Sequence, residues 1–231
     1  MSRLPATEKR RRKQPAVRVG RPPRERAGEV DERILEAARR VFLERGLAGA
    51  SMDEIARLAR AGKPTIYARF PSKEALFTAV GIRNSAQLLE RLGTHAPAGA
   101  TIEERLVKLG TNILQRLLES DAIDFIRLSI AEVRRFPDLG SVGRIARERA
   151  GQAASQLLSE VGQSDAIGDF PAFAAERLAT TTQFFIDLVV LRFFLRALTG
   201  ENLKVLCAEI DTHVARSVAF FLAACRHEGV D

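Results

Sequence analysis

Tryptophan is absent from this chain of 231 residues, which has only one tyrosine, two methionines and two cysteines. The cysteines, Cys207 and Cys225, match neither a CxxC pair nor a metal-ligand pattern. Both fall on one predicted helix, roughly 27 Å apart at a rise of ~1.5 Å per residue, which is too far for a disulfide. We expect two buried, unpaired thiols, as in a protein of a reducing cytoplasm.

Catalytic and cofactor-binding motifs are also missing from the sequence. The three histidines are scattered along the chain, at His95, His213 and His227. The sequence has no Gly-rich phosphate loop, no metal-ligand cluster and no nucleophile motif. It therefore predicts neither an enzyme nor a cofactor.

Long hydrophobic runs are few. The N-terminus has no apolar segment of the kind that a signal peptide needs. The most apolar run, from Phe184 to Leu195, is too short to span a bilayer and contains Asp187 and Arg192. We expect a cytoplasmic protein that does not enter a membrane.

Positive charge is concentrated at the N-terminus. The net charge is +7, but residues 1–27 alone hold ten Lys or Arg against two Glu, so the rest of the chain is slightly acidic. This segment also has four prolines and few large apolar residues, so it cannot bury enough surface to fold alone. We expect a disordered basic arm over residues 1–27.

Apolar residues beyond the arm follow helical spacing, and nowhere does an alternation of period two persist. A first helix is expected from about Asp31 to Arg45, with Gly46 placed to end it. The predicted fold is all-α. It has a three-helix head over residues 28–75 and a helical body over residues 76–231.

Residues 51–77 carry the clearest local pattern. Ser51 and Glu54 form a capping box, and a short helix with one apolar face follows. After a turn that contains Gly62, a second short helix has Pro64 in its first turn, where the missing N–H costs nothing. Two short helices across such a turn predict a helix-turn-helix, whose second helix can enter the major groove of DNA.

The same segment resembles the TetR family of transcriptional regulators. The resemblance rests on three runs: Ser51-x-x-Glu54-Ile55-Ala56, Gly62-Lys63-Pro64-Thr65-Ile66-Tyr67 and Phe70-Pro71-Ser72-Lys73-Glu74-Ala75-Leu76. The pattern covers roughly residues 28–92. One difference is Gly62, because the family usually has Ser or a similar capping hydroxyl there. Further along, residues 125–139 resemble the AefR-like C-terminal domain of the same family.

The residues near the start of the second motif helix would read bases if that helix enters the major groove. These are Lys63, Pro64 and Thr65. Lys63 can donate to guanine, and the Thr65 methyl group can meet a thymine methyl group. The use that the family makes of its matching tyrosine implies that Tyr67 holds a phosphate. The alternative is that Tyr67 packs under Phe70.

Further phosphate contacts are expected from Ser51 and Lys73, which lie at helix N-termini. The alternative for Lys73 is an ordinary solvated lysine. In the arm, Arg21 and Arg24 belong to a Gly-Arg-Pro sequence similar to AT-hooks, and narrow A·T-rich minor grooves attract arginine. The alternative is a solvated basic tail that adds only salt-sensitive affinity.

The last two helices are predicted to hold a homodimer together. The run from Phe184 to Leu195 is apolar on all sides, so it must be covered on all sides. The final helix has an apolar seam at i/i+4 spacing, formed by Leu206, Ile210, Val214, Val218 and Leu222. The alternative is a monomer in which both helices are simply central.

The family resemblance implies a repressor that leaves a palindromic double-stranded operator when an unknown small-molecule effector binds in the body. Polar residues inside apolar helical stretches of the body are candidate contacts: Asn112, Gln115, Thr181, Gln183 and Asp187. For each of them an internal hydrogen bond, a surface position or an ion pair such as that of Asp187 with Arg192 is the simpler explanation. The many Phe and Leu residues favour an apolar or aromatic effector. The alternative function is a DNA-binding or architectural protein that needs no effector.

Overall fold

A computed structural model describes residues 24–92, 96–118, 122–162 and 170–226 of this protein. Within these ranges the chain forms helices and connecting turns, and no strand occurs. The prediction of an all-α fold is therefore confirmed.

Ten α-helices follow one another in the described residues. They are α1 (Arg24–Gly49), α2 (Met52–Leu58), α3 (Lys63–Arg69), α4 (Lys73–Leu92), α5 (Ile102–Leu118), α6 (Ala122–Glu132), α7 (Gly140–Gly162), α8 (Leu178–Ile186), α9 (Arg192–Leu198) and α10 (Leu203–Cys225). A π-helical segment, Asp187–Leu191, joins α8 directly to α9. Short 3-10 turns, Pro137–Leu139 and Pro171–Phe173, precede α7 and α8.

The first helix begins earlier than the apolar pattern predicts. It starts at Arg24 rather than near Asp31, so the expectation of disorder was wrong for residues 24–27, and residues 1–23 lie outside the described residues. Gly46 interrupts the helical backbone with a φ of 69°. This left-handed conformation suits glycine, which confirms the predicted end of the regular helix.

The head core lies between α1, α2, α3 and the first half of α4. Its largest fully buried side chains include Phe42, Phe77, Ile34, Ile55 and Ile66. Leu76, Phe77 and Val80 of α4 belong to this core. The head therefore extends past residue 75, its predicted end, because the start of α4 completes its core.

The body core is built from α5, α7, α8, α9, α10 and the π segment. Every residue of the predicted seam in α10 is buried within this core: Leu206, Ile210, Val214, Val218 and Leu222. Two neighbouring helical segments approach α5 closely at Gly110. A Cβ atom added there would lie 2.8 Å from Val214 Cγ1 and 2.9 Å from Val189 Cγ1.

Helix α6 lies between the two cores. Ile123 belongs to the body core and Phe125 to the head core, where its ring stacks on Phe77 with centroids 4.7 Å apart. Residues two positions apart on a helix point to nearly opposite sides. Head and body therefore share α6 as well as α4.

The helical run from Leu178 to Leu198 has 21 residues and is long and apolar enough, by length and composition, to cross a membrane. The core helix of a soluble protein passes the same test, and the apolar run from Phe184 to Leu195 is only the central part of this helical run. One stripe of the run packs into the body core: Phe185, Val189, Phe193 and Ala197. Only 28% of the most apolar window is buried, so other faces remain available to a partner.

Candidate nucleic-acid interface and body crevice

The helix-turn-helix begins with Ser51, which caps α2 as predicted. Its hydroxyl accepts a hydrogen bond from the backbone N–H of Asp53 at 3.3 Å. The predicted reciprocal bond from Glu54 was wrong, because that carboxylate pairs with Arg45 of α1 at 2.8 Å. The turn after α2 places Arg60 at a φ of 50°, which is uncommon for a residue with a side chain.

Helix α3 presents its N-terminal residues to solvent. Lys63 and Pro64 are exposed, and Thr65 is half-buried. Tyr67 is 49% exposed, which favours the predicted DNA contact over the alternative that it packs under Phe70. The structure therefore brings the four predicted contacts of this helix to one accessible region. The N-cap residue, Gly62, makes no side-chain capping bond.

The charged group of Lys63 is held by α2. Its Nζ lies 2.6 Å from Asp53 Oδ2, and both side chains are largely exposed. The hydrogen bond and charge of Asp53 raise the pKa of Lys63 above its ordinary value. The ammonium group therefore stays charged, and the exposed pair can open to meet an acceptor on DNA.

Lys73 has a partner that the sequence did not indicate. Its Nζ donates to the backbone carbonyls of Ala48 and Ala50, each at 3.1 Å. These bonds tie the start of α4 to the last turn of α1 and to the residue that follows it. Phosphate binding by Lys73 would have to use the third proton of the same ammonium group.

Helix α3 is fixed to the rest of the head by its buried and basic residues. Ile66 is fully buried in the head core. Arg69 pairs with Asp31 of α1 at 2.8 Å, and Arg33 of α1 donates to the Ala59 carbonyl at 3.3 Å. The exposed residues of α3 therefore stand on a braced helix.

Arg21 lies outside the described residues, and only the backbone of Arg24 is described, as the first residue of α1.

The five candidate effector contacts do not come together. Asn112 and Gln115 are exposed on α5. Thr181 is buried, and its hydroxyl donates to the Ala172 carbonyl at 2.5 Å. Gln183 is exposed and donates to Asp187 at 2.9 Å, so the partner of Asp187 is Gln183 rather than Arg192.

Two of these candidates, Thr181 and Asp187, line a crevice of about 560 Å³ on the surface of the body. It lies between α8 and the C-terminal end of α10. Its other lining residues are Ala172, Glu176, Arg177, Thr180, Phe184, Leu188, Phe220, Phe221, Ala224 and Cys225. The sequence indicated only the wall that contains Thr181 and Asp187, because the second wall is some forty positions further along the chain.

The two thiols differ in their surroundings. Cys225 is buried at the crevice, and burial raises its pKa to about 11, so the thiol stays neutral. Cys207 is exposed, which corrects the expectation of two buried thiols. Both cysteines lie on α10 as predicted. In the described part of the chain, no group of three or more His, Cys, Asp or Glu side chains could hold a metal ion.

Several large apolar residues of the last helices are exposed, and together they are called the apolar row. On α8, the π segment and α9 these are Phe184, Leu191 and Leu195, and on α10 they are Val205 and Phe220. Phe184 and Phe220 also line the crevice. The crevice therefore shares two residues with the apolar row.

Two family models match the sequence. The model described as bacterial regulatory proteins, tetR family, matches residues 34–80, which include the helix-turn-helix. The model described as AefR-like transcriptional repressor, C-terminal domain, matches residues 104–226. Together they cover most of the head and nearly all of the described body.

Individual proteins are similar to this chain over different lengths. An uncharacterized HTH-type transcriptional regulator of Mycobacterium tuberculosis is 34% identical over 92 residues, which cover 40% of this chain and 46% of that protein. The chain thus spans about half the length of this relative. The HTH-type transcriptional activator FasR of Mycolicibacterium smegmatis is 32% identical over 165 residues, which cover 69% of this chain and 73% of FasR.

Solved structures share the fold. A TetR-family regulator from Mesorhizobium loti superposes with a TM-score of 0.74 at 24% identity, covering 86% of this chain and 98% of that one. The flavonoid-responsive regulator FrrA superposes with a TM-score of 0.67 at 26% identity, covering 87% of this chain and all of the other. Both similarities include head and body.

Proposed function

This chain belongs to the TetR family of DNA-binding transcriptional regulators, and we propose that it represses transcription as a homodimer on a palindromic operator. Members of this family are regulators and not enzymes, which agrees with the sequence. The observation that carries the proposal is the exposed N-terminal part of α3, with Lys63, Pro64, Thr65 and Tyr67, on a braced head. The arm is proposed to add phosphate contacts, and the body is proposed to add dimerisation and effector binding. We expect the protein to act in the cytoplasm.

Base reading is assigned to the start of α3 and phosphate binding to Tyr67. The test begins with the selection of an operator from random duplexes by the full chain. Thr65→Ala should then relax the preference at one base step per half-site by ~1–3 kcal/mol. The matched control is Thr212→Ala, because Thr212 is exposed on α10, far from α3 in the chain. Equal operator preference of both variants would contradict this assignment.

Tyr67 permits a sharper test, since its hydroxyl alone is proposed to hold the phosphate. A hydrogen bond to a charged group is worth about 1.5–3 kcal/mol, so Tyr67→Phe should reduce operator affinity roughly tenfold or more. Tyr67→Ala should reduce it little further. If only the alanine variant binds weakly, the ring and not the hydroxyl makes the contact.

The basic arm is proposed to bind further phosphates through residues such as Arg21. Because α1 begins at Arg24, the suitable variant lacks residues 1–23 and leaves the first helix intact. Its log affinity should fall less steeply with log salt, by about 0.9 for each phosphate that the arm neutralises in the full chain. An unchanged slope would show that the arm does not touch the duplex.

The homodimer is proposed to form through the apolar row that includes Phe184, Leu191 and Leu195. Exposed patches of this kind mark interaction sites, and two heads on a two-fold axis fit half-sites about one helical turn apart, or a multiple. Leu195→Glu should therefore shift the protein to monomers in sedimentation velocity. The matched control is Ile130→Glu on α6, since Ile130 is 56% exposed against 52% for Leu195. A dimer that survives Leu195→Glu would reject this surface.

Control by a small effector is the last part of the proposal. The body holds a crevice of a size typical of ligand sites, and FrrA is named as flavonoid-responsive, which supports an aromatic effector here. The direction of control has two candidates, because the C-terminal family is described as repressors whereas FasR is named an activator. We favour a repressor that its effector releases. Reporter expression from the selected operator, measured in cells with and without the gene for this protein, distinguishes a repressor from an activator.

The strength of effector control has a thermodynamic bound. An effector that prefers one arrangement of the body changes operator affinity by the coupling free energy, commonly 1–3 kcal/mol or roughly 5- to 150-fold. Operator DNA must change effector affinity by the same factor. A ligand that saturates the body without changing operator affinity is not the effector, and repeated failures of this kind would favour the effector-independent alternative.

A further inference from the structure

We propose that the crevice between α8 and the end of α10 binds a planar aromatic molecule carrying a hydroxyl donor, and that the second subunit closes it. This inference rests on the proposed function as an effector-responsive homodimer. It adds the place of the ligand, its chemical class and the source of the missing wall.

The dimensions of the crevice suit a ring system of modest size. Its volume of about 560 Å³ lies within the ~300–1,000 Å³ typical of small-molecule sites. Pockets of this kind have apolar walls with a few polar groups that fix orientation. Seven of the twelve lining residues have apolar side chains or a neutral thiol: Ala172, Phe184, Leu188, Phe220, Phe221, Ala224 and Cys225.

The inner wall of the crevice is aromatic and firmly held. Phe221 is buried, and its ring lies edge-on to Phe185 with centroids 5.4 Å apart and to Phe173 at 6.2 Å. Edge-to-face contacts at these distances are the favoured geometry of aromatic pairs. At the mouth, Phe184 and Phe220 are 49% and 68% exposed. A flat aromatic ligand can therefore rest on a fixed aromatic surface between two accessible rings.

The polar groups of the crevice select for a donor. The Thr181 hydroxyl uses its proton on the Ala172 carbonyl, so its oxygen can only accept. Asp187 accepts one hydrogen bond from Gln183, and an ionised carboxylate has further lone pairs to offer. A second carboxylate, Glu176, also lines the crevice. A hydroxyl on the ligand fits these acceptors. The charged residues of the crevice are these two carboxylates and Arg177, so an anionic group would meet more negative than positive charge.

The second subunit supplies the outer wall. The mouth residues, Phe184 and Phe220, continue the apolar row of Leu191, Leu195 and Val205, which is the proposed dimer surface. A molecule bound at the mouth would be sandwiched between subunits. Its size and orientation would then set the angle between the two bodies and, through them, the separation of the heads.

The ligand class is tested with β-naphthol and its methyl ether, which keeps the ring but cannot donate. The chain has no tryptophan, so naphthol fluorescence reports binding without interference from indole emission. The full-length dimer should bind β-naphthol about tenfold or more tightly than the ether, the usual value of a hydrogen bond to a charged acceptor. Asp187→Asn should remove most of this difference, while Asp211→Asn, an exposed control on α10, should keep it.

The place of the site is tested with a pair of exposed apolar residues, one inside and one outside the crevice. Phe220→Ala should weaken β-naphthol binding several-fold, because the ligand no longer has this ring to stack on. Ile130→Ala on α6, which is outside both the crevice and the proposed dimer surface, should not. If both variants bind β-naphthol as the wild type does, the crevice is not the site. If Phe220→Ala changes only the monomer–dimer equilibrium, the crevice is part of the dimer seam and the proposal fails.

The role of the second subunit is tested with Leu195→Glu, whose altered residue does not line the crevice. The monomer should bind β-naphthol at least tenfold more weakly than the dimer, and saturating β-naphthol should tighten the wild-type dimer by linkage. Equal binding by monomer and dimer overturns closure by the partner. Operator binding is measured in parallel without ligand. Its absence in the wild-type protein would reject the proposed function itself, whereas retained operator binding with no β-naphthol binding rejects only this inference.

Discussion

Adding one methyl group at Gly110 should destabilise the body, although alanine is the better helix former. The new Cβ would lie 2.8 Å from Val214 Cγ1 and 2.9 Å from Val189 Cγ1, distances that real Cβ atoms do not tolerate. Both valines are fully buried, and β-branched side chains in helices have one strongly preferred rotamer. The backbones of α5, α10 and the π segment must therefore move apart.

The magnitude follows from two opposing terms. Overpacking a well-packed core costs typically 1–3 kcal/mol, and replacing glycine by alanine inside a helix contributes about 1 kcal/mol in the stabilising direction. The matched control is Gly151→Ala in α7, where an added Cβ has no neighbour within 4 Å. Gly151→Ala should thus be stabilising. Because both variants share the propensity term, the difference between them should be about 1–3 kcal/mol, the packing cost alone.

Urea unfolding followed by far-UV circular dichroism measures this difference. Both variants are compared at one protomer concentration, because stability depends on concentration in a dimer. In thermal unfolding the gap corresponds to roughly 2–4 °C per kcal/mol for a chain of this size. If Gly110→Ala proved as stable as Gly151→Ala, the close approach of α5 to the last helices would be refuted.

Three further predictions concern single side chains. Burial lowers the pKa of His213 below its ordinary value of 6.5, so the unfolded chain binds the proton more readily than the folded one. The stability difference between wild type and His213→Gln should therefore be constant above about pH 6.5 and shrink as pH falls below it. A pH-independent difference would contradict this. Cys207 is exposed, whereas Cys225 is buried with its pKa raised to about 11, so a thiol reagent should label one cysteine in the native protein and two after unfolding; two fast-reacting native thiols would refute the burial of Cys225. Lys73→Met removes the donor to the Ala48 and Ala50 carbonyls and should lower the free energy of unfolding by roughly 1 kcal/mol. The control is Lys204→Met on the exposed start of α10. Weaker operator binding at unchanged stability would show instead that Lys73 contacts DNA.

The starts of α4 and α5 were predictable because capping chemistry is local. Ser72 accepts from the backbone N–H of Ala75 at 3.1 Å, and Thr101 accepts from that of Glu104 at the same distance, as the sequence suggests. The carboxylate of Glu104 reaches back to the N–H of Ala100 at 2.9 Å. A residue and its cap lie within one turn, so these bonds depend little on the rest of the fold.

The π segment, Asp187–Leu191, could not be read from the sequence. It depends on residues from two other helices. Gly110 allows Val189 to approach α5, and His213 Nε2 lies 2.9 Å from the Val189 carbonyl. A π segment leaves backbone groups out of the regular α-helical pattern, and here a side chain from α10 meets one of them. Such contacts exist only after the chain has folded.

The candidate DNA-binding site likewise has one part that the sequence predicts and another part that depends on how the helices pack. The exposed residues of α3 follow from one short stretch of sequence, where the family resemblance is strongest. The partners of Glu54 and Lys73 lie in or just after α1 and depend on how the helices pack. The effector candidates show a related limit of the sequence: a polar residue in an apolar helix does not indicate which way its side chain points. Asn112 and Gln115 are exposed on α5, whereas Thr181 and Asp187 line the crevice.

The path from the body to the head is visible in α6. Arg127 of this helix donates to the Leu198 carbonyl at 3.0 Å and also to the Ala197 carbonyl, at the end of α9. Two residues earlier, Phe125 stacks on Phe77 inside the head core, and Phe77 meets Phe42 edge-on at 5.1 Å.

These contacts form a physical connection from the end of the proposed dimer helices to the α1–α4 core that supports α3. Packed cores resist continuous deformation, so a shift of α9 must either break the bonds of Arg127 or carry α6 with it. If α6 moves, Phe125 moves within the head. If the proposed effector changes the arrangement of the last helices, we expect it to act on the head through α6 as well as through α4, without contacting DNA.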